Sequence, residues 1–185
     1  MHPTTRRTLF RAAGALLTLS IAPAAASAQQ ALAAVHVSAP VNDRARADEL
    51  YERAMALPTE TRFARKAAAL YEQSAALRAA GDERAAASLR MAAYLRYYAG
   101  DRRAGVALME RAADHSAGTG DVVHAANAYI DAAIIAGELS DGARARELRQ
   151  RAELLAGSPL LAESDRSAIR TRIAQWRDVA VAESR

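Results

Sequence analysis

Cysteine is missing from all 185 residues, and that one absence removes several chemistries. Disulfides, thiolate zinc sites, a cysteine nucleophile and a lipid-modified N-terminal cysteine are all excluded. Lysine is nearly missing too: Lys66 stands alone, and every other strongly basic residue is an arginine. Aromatic residues make up 5% of the chain and alternating runs of Val, Ile and Thr are scarce, which leaves almost nothing to build a sheet from. Beyond the N-terminal region no apolar run approaches the roughly 20 residues a helix needs to cross a bilayer. Neither a His-Glu-x-x-His metal pair nor a glycine-rich phosphate loop following a strand occurs.

What the chain does have is alanine, 50 residues of it. The hydrophobic fraction of 51% therefore overstates the core, because alanine buries little area but has the best helix propensity. This composition predicts closely packed helices and no strand. The length suits one domain.

Export is written at the N-terminus. Arg6 and Arg7 precede a largely apolar run from Leu9 through Leu16, Leu17, Leu19 and Ile21 to Pro23, and Ala26-Ser27-Ala28 supplies small residues for cleavage. These are the three parts of a secretory signal in order, so residues 1–28 are expected to be removed and the protein to be periplasmic or secreted. The stretch Thr5-Arg6-Arg7-Thr8-Leu9-Phe10-Arg11 resembles a twin-arginine translocation signal, with Thr where Ser is usual and Leu-Phe for Phe-Leu. The alternative is an uncleaved membrane anchor, which the short run and the interruption by Arg11 disfavour. Losing Arg6, Arg7 and Arg11 takes the formal charge from +4 to +1, too close to neutral for a nucleic-acid partner, which needs a concentrated basic face.

Residues 29–42 read as a flexible lead-in. Afterwards helix breakers recur at Leu57-Pro58-Thr59, Gly81-Asp82, Gly100-Asp101, Gly118-Thr119-Gly120-Asp121, Ser140-Asp141-Gly142 and Gly157-Ser158-Pro159. Each joins a residue that ends helices to an Asp, Ser or Thr able to cap the next, so seven helical segments are predicted. In the last, Ile169, Ile173, Trp176 and Ala180 fall on one stripe while Arg170, Arg172, Arg177 and Asp178 point elsewhere.

The segments also pair. Gly105, Leu108 and Ala112 correspond to Ala145, Leu148 and Ala152 in the next hairpin, and to Ala67, Leu70 and Ser74 in the one before. Over residues 43–157 the chain resembles the tetratricopeptide repeat family. The Gly-Asp turn, a small residue five after its glycine (Gly105) and an alanine seven beyond (Ala112) match in kind, as do small residues at Ala93 and Ala133 where a hairpin's helices approach. The repeat, near 39 residues, exceeds the family's usual 34 or so; the expected first-helix Trp is absent; Pro58 falls inside the first hairpin. The resemblance implies an all-α fold for residues 43–185: a right-handed stack of three antiparallel helical hairpins plus a C-terminal capping helix.

Arg90, Tyr94, Tyr97 and Tyr98 share a broad face of one helix. The resemblance turns that face into a concave groove, with Asn127, Ile130, Ile134 and Glu138 from the next hairpin and Glu49 and Glu52 from the preceding one. Such a groove is expected to bind a protein or peptide partner as an extended strand or helix, with Arg90 and Glu138 at the rim, and to need no cofactor or metal. The competing reading has the tyrosines plugging gaps between alanine-rich helices, hydroxyls at the rim. A periplasmic chaperone using the same groove is a second functional reading. A third places a metal or an enzyme activity at the corner holding Asp114, His115, Asp121 and His124, although loop-adjacent His and Asp more often cap helices or face water.

Overall fold

A computed structural model describes the backbone of residues 41–182 and the side chains of residues 41–175. The leader and most of the lead-in lie outside the described residues. The described chain is all-helical, with seven helices and no strand: α1 (Val41–Met55), α2 (Thr61–Ala76), α3 (Glu83–Tyr98), α4 (Arg102–Gly118), α5 (Val122–Glu138), α6 (Gly142–Ala156) and α7 (Glu163–Ala182). Every helix packs against the next in sequence, and α7 closes the stack on both α5 and α6. The helix breaks stand where the sequence places them. Pro58 lies in the α1–α2 loop, outside either helix.

One local device makes four of the turns. Gly81, Gly100, Gly120 and Ser140 all take positive φ, at 95°, 82°, 82° and 59°, and each is followed by an aspartate. Left-handed backbone carries little steric penalty for glycine, so it ends a helix cheaply there. At the last three turns the Asp N–H bonds back to the helix, Asp101 to the Arg96 carbonyl, Asp121 to Ser116 and Asp141 to Ala136, satisfying carbonyls left open at the helix end. Asp82, Asp121 and Asp141 then cap the following helix by accepting from the N–H of Arg84, His124 and Arg144. Asp101 does not cap; its carboxylate lies 3.6 Å from Arg96. Nor does Thr59: α2 starts after Glu60, with no side-chain cap.

Small residues set how closely the helices approach. A Cβ added at Gly105 would stand 3.1 Å from the Ala93 carbonyl oxygen and 3.5 Å from Tyr97, so α3 and α4 touch nearly backbone to backbone. Ala67, Ala145, Ala112, Ala152 and Ser74, the corresponding small positions, are all buried. Between them sit the larger core residues, of which Met109, Leu148 and Ile169 are the largest fully buried. Helix α5, covered by α4, α6 and α7, buries ten residues and is the centre of the domain. Ile169 and Ile173 are buried as their stripe predicts; the side chains of Trp176 and Ala180 lie outside the described ones.

Two polar links tie the first hairpin together. Ser74 Oγ on α2 donates to the Ala47 carbonyl on α1 at 2.8 Å. The Arg78 side chain, wholly buried, pairs with Asp48 at 2.7 Å and Asp82 at 3.2 Å, clasping α1 to the α2–α3 turn. The hydrogen bond from Arg78 is the main cause that holds the Asp48 carboxyl below the ordinary carboxylate range; burial opposes it, and a further bond from Arg84 adds to the lowering.

Candidate functional site

The C-terminal half of α3 carries the aromatic face, and α5 lies beside it. The predicted residues divide into three kinds of environment. Tyr94 is half-buried, and its hydroxyl donates to Asp131 Oδ2 on α5 at 2.7 Å. Burial first, and the bond to Asp131 second, push the Tyr94 phenol up to about 12, partly opposed by the positive charge of Arg90 and Arg172. Tyr97 donates to Glu138 at 2.9 Å, and that bond is the main cause of its raised pKa. The Arg102 guanidinium lies 5.4 Å from the Tyr97 ring centre and 3.8 Å from Glu138, closing a triangle of ring, cation and carboxylate.

Tyr98 differs from both. It is 69% exposed, and its ring meets Tyr97 edge-on at 5.4 Å between centroids. Met91, two helical turns earlier on the same stripe, is 40% exposed. The outer surface of α3 thus presents a sulfur and an aromatic ring to solvent, with two tyrosines beneath fixed to α5.

The other predicted positions are distributed differently from an open groove wall. Ile130 is 3% exposed and belongs to the core; Ile134 is half-buried against it. The Asn127 side-chain oxygen accepts from Arg172 of α7 at 2.6 Å. Arg172 also reaches Asp131 Oδ1 at 2.5 Å, so the carboxylate of Asp131 bridges Tyr94 on α3 and Arg172 on α7. Arg172 points away from the Ile169 stripe, as its spacing requires, yet toward protein. Glu49 pairs within α1, to Arg46 at 2.6 Å and Arg53 at 3.6 Å, and Glu52 acts on Tyr71 of α2. Neither joins the tyrosines through a described contact.

Asp131 and Arg172 complete this ladder, and sequence reasoning passed over both. A signal for Asp131 existed: it is the lone charged residue between Val122 and Gly137 in the most apolar helix, where an unpaired carboxylate is costly and therefore implies a partner.

The histidine corner does not converge. Asp114 accepts from the Tyr129 hydroxyl, His115 Nε2 lies 2.9 Å from the Asp82 carbonyl oxygen, and Asp121 caps α5 while its other oxygen sits 2.7 Å from His124 Nδ1. Asp121 and His124 pair with each other, while Asp114 and His115 are engaged elsewhere, by Tyr129 and by the Asp82 carbonyl. Among the described residues no cluster of three or more His, Asp or Glu side chains is arranged to hold a metal ion. No described helix is long and apolar enough to cross a membrane. No protein-family model, curated protein or solved structure matches the chain.

Proposed function

We propose that this chain is an exported interaction module, similar to tetratricopeptide repeat proteins, that binds a peptide or a partner helix across α3 and α5 and catalyses no reaction. The observation that carries this reading is Tyr98, 69% exposed and set edge-on against a tyrosine whose own hydroxyl is held by Glu138. An aromatic ring pinned from beneath loses little conformational entropy when a partner covers it, and Tyr beside Arg is a combination favoured at binding hot spots. Met91 extends the strip along α3, while Arg90 and Arg102 flank it with positive charge. The ladder from Tyr94 through Asp131 to Arg172 would serve as the rigid floor of this surface, not as a contact.

Tyr98→Ser tests the proposal, because the exposed side chain can change without disturbing the fold. The protein and the variant are used as paired baits on the extracytoplasmic fraction of the source cells. A discrete partner captured by the protein and lost with the variant supports the module. An identical partner set from both baits refutes a role for this face, and broad capture of unfolded chains would favour the chaperone reading. Export has its own readout: the N-terminus of the exported form should be Gln29.

A further inference from the structure

On the other side of the stack, formed by α2, α4 and α6, a cavity of about 300 Å³ opens between α4 and α6 near the end of α5. Its apolar lining is aliphatic, with Val106, Ala136 and Leu139 inside and the exposed Ala107 at the mouth. Four charged residues line it, and three are already engaged. Glu110 is held by Arg144 and by Arg151, the latter at 3.0 Å. Arg144 also pairs with Glu147 at 2.5 Å. Asp141 accepts the Arg144 N–H at the start of α6. The fourth, Arg103, is exposed and has no hydrogen bond or ion pair among the described residues.

The preceding junction, between α2 and α3, shows why the space is open. In the alignment that matches Gly105 to Ala67 and Asp141 to Asp101, Arg103 corresponds to Arg65, Glu110 to Glu72, Leu139 to Ala99 and Ala136 to Arg96. Arg96 pairs with Glu72 at 2.8 Å, and Arg65 reaches the Ala99 carbonyl at 3.5 Å. In the later copy the long arm of Arg96 is reduced to a methyl group. Leu139, in the place of Ala99, adds apolar surface, and the equivalent of Arg65 is left without an acceptor.

We propose that this cavity is a binding site for a small aliphatic carboxylate, its branched apolar body on Val106 and Leu139 and its carboxylate on Arg103. A guanidinium presents paired donors matched to a carboxylate; Glu110 is already taken by Arg144 and Arg151, and Asp141, which keeps its charge, is turned to the N-terminus of α6, so neither is bonded to Arg103. The volume suits one branched side chain with its acid group and is at the small end of ligand sites. The ligand is either a free acid or the C-terminus of a peptide, which share this chemistry. The site is separate from the tyrosine face, and either assignment stands without the other.

The test follows the methyl resonances of Val106 and Leu139 in the full protein titrated with N-acetyl-leucine. Saturable shifts are expected, weakened at least tenfold with N-acetyl-leucinamide, which keeps the body and lacks the charge, and at least tenfold by Arg103→Gln. Ala107→Leu, filling the mouth of the cavity, should abolish the shifts with the melting temperature unchanged. Equal binding of the neutral amide, preferential binding of cationic leucinamide, undiminished binding by Ala107→Leu, or no saturable shift with the unmodified protein would each overturn the proposal. Once anion-dependent binding is established, an Ala-Ala-Leu tripeptide binding more tightly than N-acetyl-leucine identifies a peptide C-terminus as the source; the reverse identifies a free acid.

Discussion

The junction of the first hairpin with the second and that of the second with the third begin from the same register and end with different interiors. Where α2 meets the end of α3, Glu72 takes its guanidinium from Arg96 on α3. Where α4 meets the end of α5, Glu110 takes its guanidiniums from Arg144 and Arg151 on α6, and Ala136 stands where the earlier copy has Arg96. One junction is filled by an ion pair at its centre, and the other holds a cavity with its ion pairs displaced to one side. Buried small residues and a positive-φ turn followed by aspartate recur from copy to copy. What fills the space is decided side chain by side chain. A degenerate repeat can thus keep its frame and vary its surfaces independently.

The comparison breaks most completely if the frame itself is cut. Leu148, fully buried, corresponds to Leu70, which is only half-buried. Leu148→Ala should cost about 3 kcal/mol, from lost transfer free energy and the cavity left behind, and Leu70→Ala clearly less. Urea denaturation followed by helical circular dichroism measures both, and equal losses would mean that the first and third copies are packed alike after all.

Arg96→Ala should convert the filled junction into a likeness of the open one. The pair it removes is about a quarter exposed at Arg96 and a third at Glu72, so the expected loss is about 1 kcal/mol. A much larger loss would show that the arginine stem carries packing the later copy replaces in another way.

Tyr94→Phe sharpens the contrast between the two sides of the stack. At neutral pH it should cost about 1 kcal/mol, the value of one hydroxyl hydrogen bond, with Asp131 retaining Arg172. The sign of the pH dependence follows from the raised phenol. A group that binds its proton more tightly when folded contributes stability that is fully present below its unfolded value near 10 and is lost as pH rises toward about 12. Phenolate absorbance should therefore show one tyrosine titrating near 12. The alkaline decline in stability should be shallower in the phenylalanine variant, and unchanged profiles would place Tyr94 in water.

Much of this was legible in the chain because it depends on local chemistry. A positive-φ glycine followed by aspartate ends one helix and starts the next through contacts within six residues, so the turns at Gly100 and Gly120 could be read directly. Ile169 and Ile173 reveal a buried stripe through spacing alone. The shared face of Tyr94 and Tyr97 was legible for the same reason, but the partners of their hydroxyls were not. Asp131 lies 37 residues from Tyr94, and Glu138 lies 41 from Tyr97. Periodicity within a helix says which residues share a face, not what that face meets. The tyrosine set accordingly separates into Tyr94 and Tyr97, bound to α5, and Tyr98, free of it, although all three have the same chemistry and nearly adjacent positions. Asn127 and Ile130, by spacing equally suited to a groove wall, are taken by α7 and by the core.

The number of helices and the places where most of them break follow from the chain alone, since propensity and capping act within a few positions. The tertiary structure alone decided which polar groups are engaged, that Arg103 is left over, and that a cavity stands beside Ala136. Those outcomes depend on distances between side chains some thirty to forty residues apart, and such distances exist only once the hairpins have stacked.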